Sequence, residues 1–369
     1  MIKVNDIIGV AERLAPKNLA YDWDNIGLQI GNKSAIVKNI LISLDINEEV
    51  INEAVDEKCQ LIIAHHPLIF KPIKKINSDN YQGNLLYKAI INKLNIYTMH
   101  TNLDITKNGL NDYLAKVLEI KNTNYLKLTN EQEQDIFKLV IFIPAEHFEE
   151  VKTGILKTSA GHLGNYSHTS FSSKGQGTFK PLTGSEPYIG DVGKLNKLDE
   201  YRFETIVKKS NIKDVLKVMH ELHPYEEIAY DLYPIDNSFV KHGLGRIGFL
   251  EQETEFNDYM KSVKRILNNQ QIKYVGKPGD TVRCIAICSG SGAELIVQAA
   301  EKGADLLITS DIKYHQAQLA ESLGINLIDA GHYNTEIIVK SLLFEYFKSE
   351  IKGVNIIKSS INTNPWELF

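Results

Sequence analysis

Cysteine is scarce, with three residues (Cys59, Cys284 and Cys288) in a chain of 369. So few cysteines exclude a disulfide-built fold, and their spacing makes no zinc-type pair of pairs. Cys284 and Cys288 alternate with apolar neighbours in a strand-like run and read as buried thiols. The odd count fits a reducing compartment. Also missing is any apolar run near the ~20 residues of a membrane span. The opening Met1-Ile2-Lys3-Val4-Asn5-Asp6 lacks the apolar core of a signal peptide. Charge of one sign is not concentrated either. The 41 Lys and Arg against 46 Asp and Glu leave a net charge of -5, and the basic residues are spread along the chain. Neither a nucleic-acid surface nor a membrane partner is expected, and the expected location is cytoplasmic.

The 43% hydrophobic composition suffices for a packed core, and the length predicts two or three domains. An amphipathic helix is predicted over 3–15, closed by Pro16. Tyr21 to Gly31 reads as turns and a short strand. The two acids beside Trp23 are read first as capping a loop anchored by that Trp, with a functional role as the alternative. Residues 39–45 form an apolar run ending in a carboxylate, a helix follows from Glu48 to about Lys58, and Leu61-Ile62-Ile63-Ala64 is a buried-type strand. This is a βαβ unit with a parallel sheet. A helix near 82–93 then leads to a strand at Asn95–Met99 and a further helix through Asp112 and Leu118.

The pattern changes near residue 130. Residues 121–135 are polar. Strand, helix, two or three Gly/Ser/Thr-rich strands, helix and strand then run from 136 to 235, an order that predicts a ferredoxin-like α+β module. Past Gly243 the helix and strand patterns return. Ile42 to His66 and Ile287 to Asp311 align without a gap, each as strand, turn, helix, strand and polar tip. The expected fold is therefore α/β: a duplicated βαβ core with a mixed or parallel sheet, residues 1–128 plus 238–369, interrupted by an inserted domain at 129–237. Each half should present its strand ends to a shared crevice.

The residues at those strand ends are metal-ligand types: His65 and His66, Asp104, His332 and Glu336. His332 and Glu336 lie four apart at a strand-to-helix corner, the spacing of one helix face. Alone, that corner reads equally as a capped helix with an incidental His. His65 and His66 can share a pocket only where the strand has ended, and Pro67 ends it. Buried His and Asp are costly without a partner. Three imidazoles and two carboxylates suit zinc, iron, manganese, cobalt or nickel better than magnesium or calcium. Five donors exceed the needs of one catalytic zinc. They fit two divalent transition ions per subunit, with Glu336 as the bridge and zinc as the first choice. Asp311, Lys313, His315 and His100 are candidates for supporting or acid–base roles, and no catalytic residue is assigned. Gly175-Gln176-Gly177 precedes no helix and is not read as a phosphate cradle. His223-Pro224-Tyr225-Glu226 reads as a helix stop.

His65-His66-Pro67, His100-Thr101-Asn102-Leu103-Asp104 and Asp329-Ala330-Gly331-His332-Tyr333-Asn334-Thr335-Glu336 together resemble the motifs of the NIF-three-like family, also called GTP cyclohydrolase 1 type 2 homologs. Asp22–Leu28 and Ser310–His315 fit as well, so the likeness covers 1–128 and 240–365. The resemblance implies a dinuclear site in which His66 and Asp104 hold one metal, His65 and His332 the other, and Glu336 both. It also implies a toroidal homohexamer and, by the family label, opening of the imidazole ring of GTP. The insert, through Gly161–Tyr166, Gly175–Phe179 and His223–Glu226, is similar to the PII- and CutA-like insert of long members. Two function classes follow: a metal-dependent hydrolase acting on a nucleotide or other small molecule, or a regulatory scaffold with structural metals and a ligand-sensing insert.

Overall fold

The computed structural model describes residues 1–129, 136–164, 166–235 and 242–367. Asn165 of the Gly161–Tyr166 motif and the expected boundary at 237/238 fall outside the described residues. The chain divides into two compact units, Met1–Thr129 with Lys241–Phe369, and Asn130–Val240.

In the first unit, β1 (Gly27–Ile30), β2 (Asn39–Ser43), β3 (Leu61–Ala64) and β4 (Asn95–Thr98) form a sheet with β15 (Asn355–Lys358) in the order β1-β4-β3-β2-β15. The strands β4, β3, β2 and β15 are parallel and β1 runs against β4. All of Leu61-Ile62-Ile63-Ala64 is fully buried, as expected of a parallel strand covered on both faces. Leu61 and Ile63 join the cluster of the helices Val4–Leu14 and Val339–Glu350. Ile62 and Ala64 join that of the helices Glu48–Asp56 and Tyr81–Ile91. Each large aliphatic side chain buried this way contributes about 1.5–3 kcal/mol. Asn47 and Asn80 cap the latter two helices, accepting from the Val50 and Gly83 amides at 2.9 and 2.8 Å.

A second sheet of the same unit contains β5 (Lys121–Leu128), β10 (Gly243–Glu255), β11 (Lys273–Val275), β12 (Thr281–Ser291), β13 (Leu306–Ser310) and β14 (Asn326–Asp329). Its order is β11-β14-β13-β12-β10-β5. The strands β12, β13 and β14 are parallel and β11, β10 and β5 antiparallel to their neighbours. The two sheets repeat one plan. The β2–helix–β3 segment matches β12, the helix Ile296–Glu301 and β13, while β1 lies on β4 as β11 lies on β14. The architecture is thus mixed α/β. The polar start of the 121–135 stretch, for which the pattern names no element, holds the edge strand β5, in which only Leu126 is buried. Polar alternation suits an edge that shows one face to water.

The second unit is built from β6 (Ile136–Pro144), the helix Phe148–Leu156, β7 (Ser170–Phe179), β8 (Asn196–Lys208), the helix Ile212–Leu222 and β9 (Tyr230–Pro234). Its sheet is antiparallel, in the order β7-β8-β6-β9. Leu139, Ile141 and Phe203 pack against Val151, Ile155, Val215 and Met219 of the two helices. Among the described residues no helix is long and apolar enough to cross a membrane.

Candidate metal centre

The side chains of the cluster all leave the carboxyl ends of the parallel strands. β3 ends at Ala64, and the His65 and His66 amides reach back to the Ser43 and Leu44 carbonyls before Pro67 turns the chain. Both rings thereby face the same space, with centroids 5.1 Å apart. β4 ends at Thr98 and leads through Met99 and His100 into the short helix Thr101–Ile105, which carries Asp104. β14 ends at Asp329 and leads through Gly331 into the short helix His332–Glu336. His100 and Asp104 therefore stand in the first half where His332 and Glu336 stand in the second.

The proton positions follow from the partners. His65 Nδ1 lies 2.8 Å from the Met99 carbonyl, which only accepts, so Nδ1 carries a proton and, in the neutral ring, Nε2 is bare. That Nε2 is buried and without a hydrogen-bond partner. His66 Nδ1 donates to Asp45 at 2.6 Å, and His332 Nδ1 donates to Asp311 at 2.7 Å. Their Nε2 atoms sit 2.9 and 3.0 Å from Glu336 Oε2. These distances suit hydrogen bonds from doubly protonated rings, whereas in the neutral rings the proton sits on Nδ1 and Nε2 is bare. With the rings neutral, Glu336 Oε2 has no donor, and lone pairs face lone pairs across the gap. A cation must lie among them, whether protons on the imidazoles or a metal ion. With protons in that role, His66 resists burial through its bonds to Asp45 and Glu336 and is pushed up to about 10. The Glu336 contact first, against burial, pushes His332 to about 9. Burial opposes the charge on Glu336, but the three imidazoles hold it well below the usual carboxylate range.

A metal fits the same donors. Two ligands about 2.1 Å from one ion lie roughly 3.0–3.4 Å apart at right-angled or tetrahedral geometry. The His66 and His332 Nε2 atoms stand close to this spacing from Glu336 Oε2, at 2.9 and 3.0 Å, and His65, His66 and His100 form a second group that could hold an ion. His65 Nε2 is 3.7 Å from Asp104 Oδ1 and 3.9 Å from Glu336 Oε1, beyond hydrogen bonding but wide enough for an ion between. These distances place His65 beside Asp104, and His66 and His332 both beside Glu336 Oε2. Burial raises the Asp104 pKa in the metal-free cluster. Gly290, at φ +57°, provides clearance. A Cβ there would lie 2.1 Å from Glu336 Oε1 and 3.2 Å from His332 Nε2.

The other sequence candidates divide. His100 joins the cluster, its ring 5.2 Å from His65 and 5.6 Å from His66, with Nδ1 donating to the fully buried Asp24 carboxylate at 2.9 Å. Asp311 holds His332. It does so in the left-handed region, φ +58°, which Asp tolerates better than most residues. His315 turns instead to Gln318 on the surface, and the Lys313 amide only caps its own helix through Gln316. Asp24 and Asp45 orient His100 and His66, roles that the sequence pattern does not assign to them. The pattern predicts a loop anchored by Trp23, but the Asp24 side chain is the buried one and Trp23 is 58% exposed. Trp23 stacks on Tyr21 and stands 5.9 Å from Phe70 and 6.2 Å from His100, forming an aromatic rim at the cluster. Asp45 also accepts from Thr363 near the end of the chain. The signal for both was a carboxylate at a strand end or turn, indistinguishable in sequence from a cap.

Known proteins share this chain's pattern along its length. The family model described as Duf34/NIF3 (NGG1p interacting factor 3) matches residues 2–365. A Bacillus subtilis protein named GTP cyclohydrolase 1 type 2 homolog is 40% identical over 363 residues, 98% of this chain and 97% of that one. A Halalkalibacterium halodurans protein of the same name is 39% identical over the same shares. Among solved structures, a Bacillus cereus protein related to NIF3 superposes with a TM-score of 0.69 at 41% identity, covering 100% of this chain and 99% of that one. A Staphylococcus aureus protein superposes with a TM-score of 0.71 at 30% identity over the same shares.

Proposed function

The chain belongs to the Duf34/NIF3 family, and from that premise we propose that its first unit is a dinuclear metal-dependent hydrolase. The observation that carries this reading is the set of bare imidazole nitrogens aimed at a buried carboxylate, with each Nδ1 proton fixed elsewhere. His65 and Asp104 would hold one divalent transition ion, His66 and His332 the other, and Glu336 would offer one oxygen to each. Zinc is the first choice, with iron, manganese, cobalt and nickel as competitors. Such ions supply Lewis acidity for activating water and polarising an electrophile.

The chain's own residues do the rest. Asp45, Asp311 and the Met99 carbonyl lock the three imidazole tautomers, as outer partners of metal-binding histidines do. His100, oriented by Asp24, presents its remaining nitrogen to the same space and is the proposed proton carrier. Tyr21, Trp23 and Phe70 form the substrate-facing wall. The name borne by the Bacillus subtilis relative makes GTP the first substrate to try. Other nucleotides and phosphoesters follow, because no guanine-reading group is identified. The second unit's β-α-β-β-α-β order and sheet order support reading it as a ferredoxin-like, PII/CutA-like insert. A homohexamer is the proposed assembly, and a monomer by mass photometry would remove it.

Metal analysis joined to a nucleotide and phosphoester hydrolysis screen tests the proposal. Turnover that depends on added metal and vanishes in Glu336→Ala is the expected result. Stoichiometric metal with no turnover on any substrate would favour the scaffold reading, and a metal-free protein after saturation would remove both. His100→Gln should lower kcat with metal content intact. Trp23→Ala should chiefly raise KM.

A further inference from the structure

The second unit holds a cavity remote in purpose from the metal cluster. Phe142 on β6, Phe179 at the end of β7, Tyr188 in the connection to β8 and Tyr225 after the helix Ile212–Leu222 wall a space of about 340 Å³. Glu200 on β8 lines the same space and is only 9% exposed. Its Oε1 accepts from the Tyr225 hydroxyl at 2.7 Å. Among the described residues, no basic side chain pairs with it. Gly177 on the adjacent β7 leaves the room its other oxygen takes, since a Cβ there would lie 2.0 Å from Glu200 Oε2.

Two features of this cavity point to one class of ligand. A carboxylate removed from water is costly without a counter-charge. Aromatic faces present negative charge and favour a cation over an anion. The mouth has the same sign: among the described residues Glu226 and Glu227 line it against Lys180 alone, and Glu226 is fixed by the Glu186 amide at 2.9 Å. A phosphate or carboxylate ligand would meet three acids and one ammonium. The volume lies at the small end for ligand sites.

We propose that this cavity binds a small organic ammonium ion carried on an apolar body, with Glu200 as its counter-charge and the aromatic side chains as its walls. The proposal goes beyond the metal-site reading and does not depend on it. In such a complex the ammonium donates to Glu200 Oε2 while Tyr225 keeps its bond to Oε1. The apolar body replaces water against Phe142, Phe179 and Tyr188.

The test titrates the full-length protein with phenethylamine, 2-phenylethanol and 3-phenylpropionate, which share a ring and differ in charge. Calorimetry should show the amine binding roughly tenfold or more tightly than the alcohol, with no binding of the acid. Glu200→Gln keeps the side chain's size and should weaken amine binding about tenfold or more while leaving alcohol binding unchanged. Amine and alcohol binding equally, amine binding unchanged in Glu200→Gln, or no amine binding up to about 10 mM would each overturn the proposal. So would self-association of the chain that excludes the amine. If Glu200→Gln fails to fold, Tyr188→Ala decides. Tyr188 is 44% exposed and removable without opening the core, and undiminished amine binding in that variant would overturn the proposal as well.

Discussion

Glu336 is buried beneath three imidazoles and is the one carboxylate with an oxygen near each group of donors. Glu336→Gln keeps its volume and removes the charge, and an amide is a poor ligand. The two cations would then repel with less screening, so calorimetric titration should show both binding events weakened or lost. Asp104→Asn should cost only the ion it shares with His65. Two undiminished events in Glu336→Gln would rule out the bridge. Gly290→Ala reaches the same carboxylate by steric means, because its added carbon collides with Oε1 at a backbone angle that disfavours a side chain. It too should lose metal, and full metal content there would show that Glu336 has room to shift. That these residues gather in one cluster was legible in the sequence, since His, Asp and Glu at strand ends carry a burial cost that asks for a reason. Which ring stands beside which carboxylate was not, because it depends on how two adjacent rings turn after Ala64. Asp24 and Asp45 were equally hidden, lying 76 and 21 positions from the histidines they orient.

At the scale of elements, Arg246 on β10 joins the two halves of the core. It is 2% exposed and spends every guanidinium donor: two on Asp112, one each on the Gly243, Gly245 and Thr106 carbonyls. Its plane lies 4.3 Å from the Tyr125 ring centroid. Lysine keeps the charge but cannot make the fork, so Arg246→Lys should lose about 3–5 kcal/mol in denaturant unfolding. A loss under about 1 kcal/mol would show that water or lysine replaces the fork. His223 ends a helix in the second unit, donating from Nε2 to the Phe142 carbonyl and accepting the Tyr225 amide at Nδ1. Burial holds its pKa below the ordinary value. The folded pKa is thus lower than the unfolded one near ~6.5. Stability is therefore full above about pH 6.5 and is lost as pH falls toward the folded pKa. Hydrogen exchange in β6 and β8 should speed up over that window, and His223→Gln should flatten the dependence. An unchanged slope in the variant would assign the effect to other groups. Strands such as Leu61–Ala64 were legible because continuous apolar runs in parallel sheets leave few alternatives. β5 was not, because a polar edge strand reads like a linker until β10 is known to lie beside it.

For the whole molecule, the internal repeat was visible only where both copies kept strand, helix and strand. The correspondence of His100 with His332, and of Asp104 with Glu336, needed the two short helices placed after β4 and β14. The insertion point offers the last prediction. Leu128 pairs with Gly243, and the Thr129 amide donates to the His242 carbonyl at 3.1 Å. The chain therefore leaves and re-enters the first unit on neighbouring antiparallel strands, as the arms of a hairpin do. An Asn-Gly turn in place of residues 130–241 matches the twist of such arms, and a short loop costs little closure entropy. The hydrogen bonds and ring contacts given above for the metal cluster all lie within the first unit. The shortened chain should fold, unfold in a single cooperative transition and bind as much metal as the full chain. It should also lose amine binding, since the cavity beside Glu200 goes with the insert. Elemental analysis and calorimetry read the two results separately. Loss of metal from a core whose circular dichroism and unfolding remain intact would mean that the insert helps build the centre, and the division of labour between the two units would have to be redrawn.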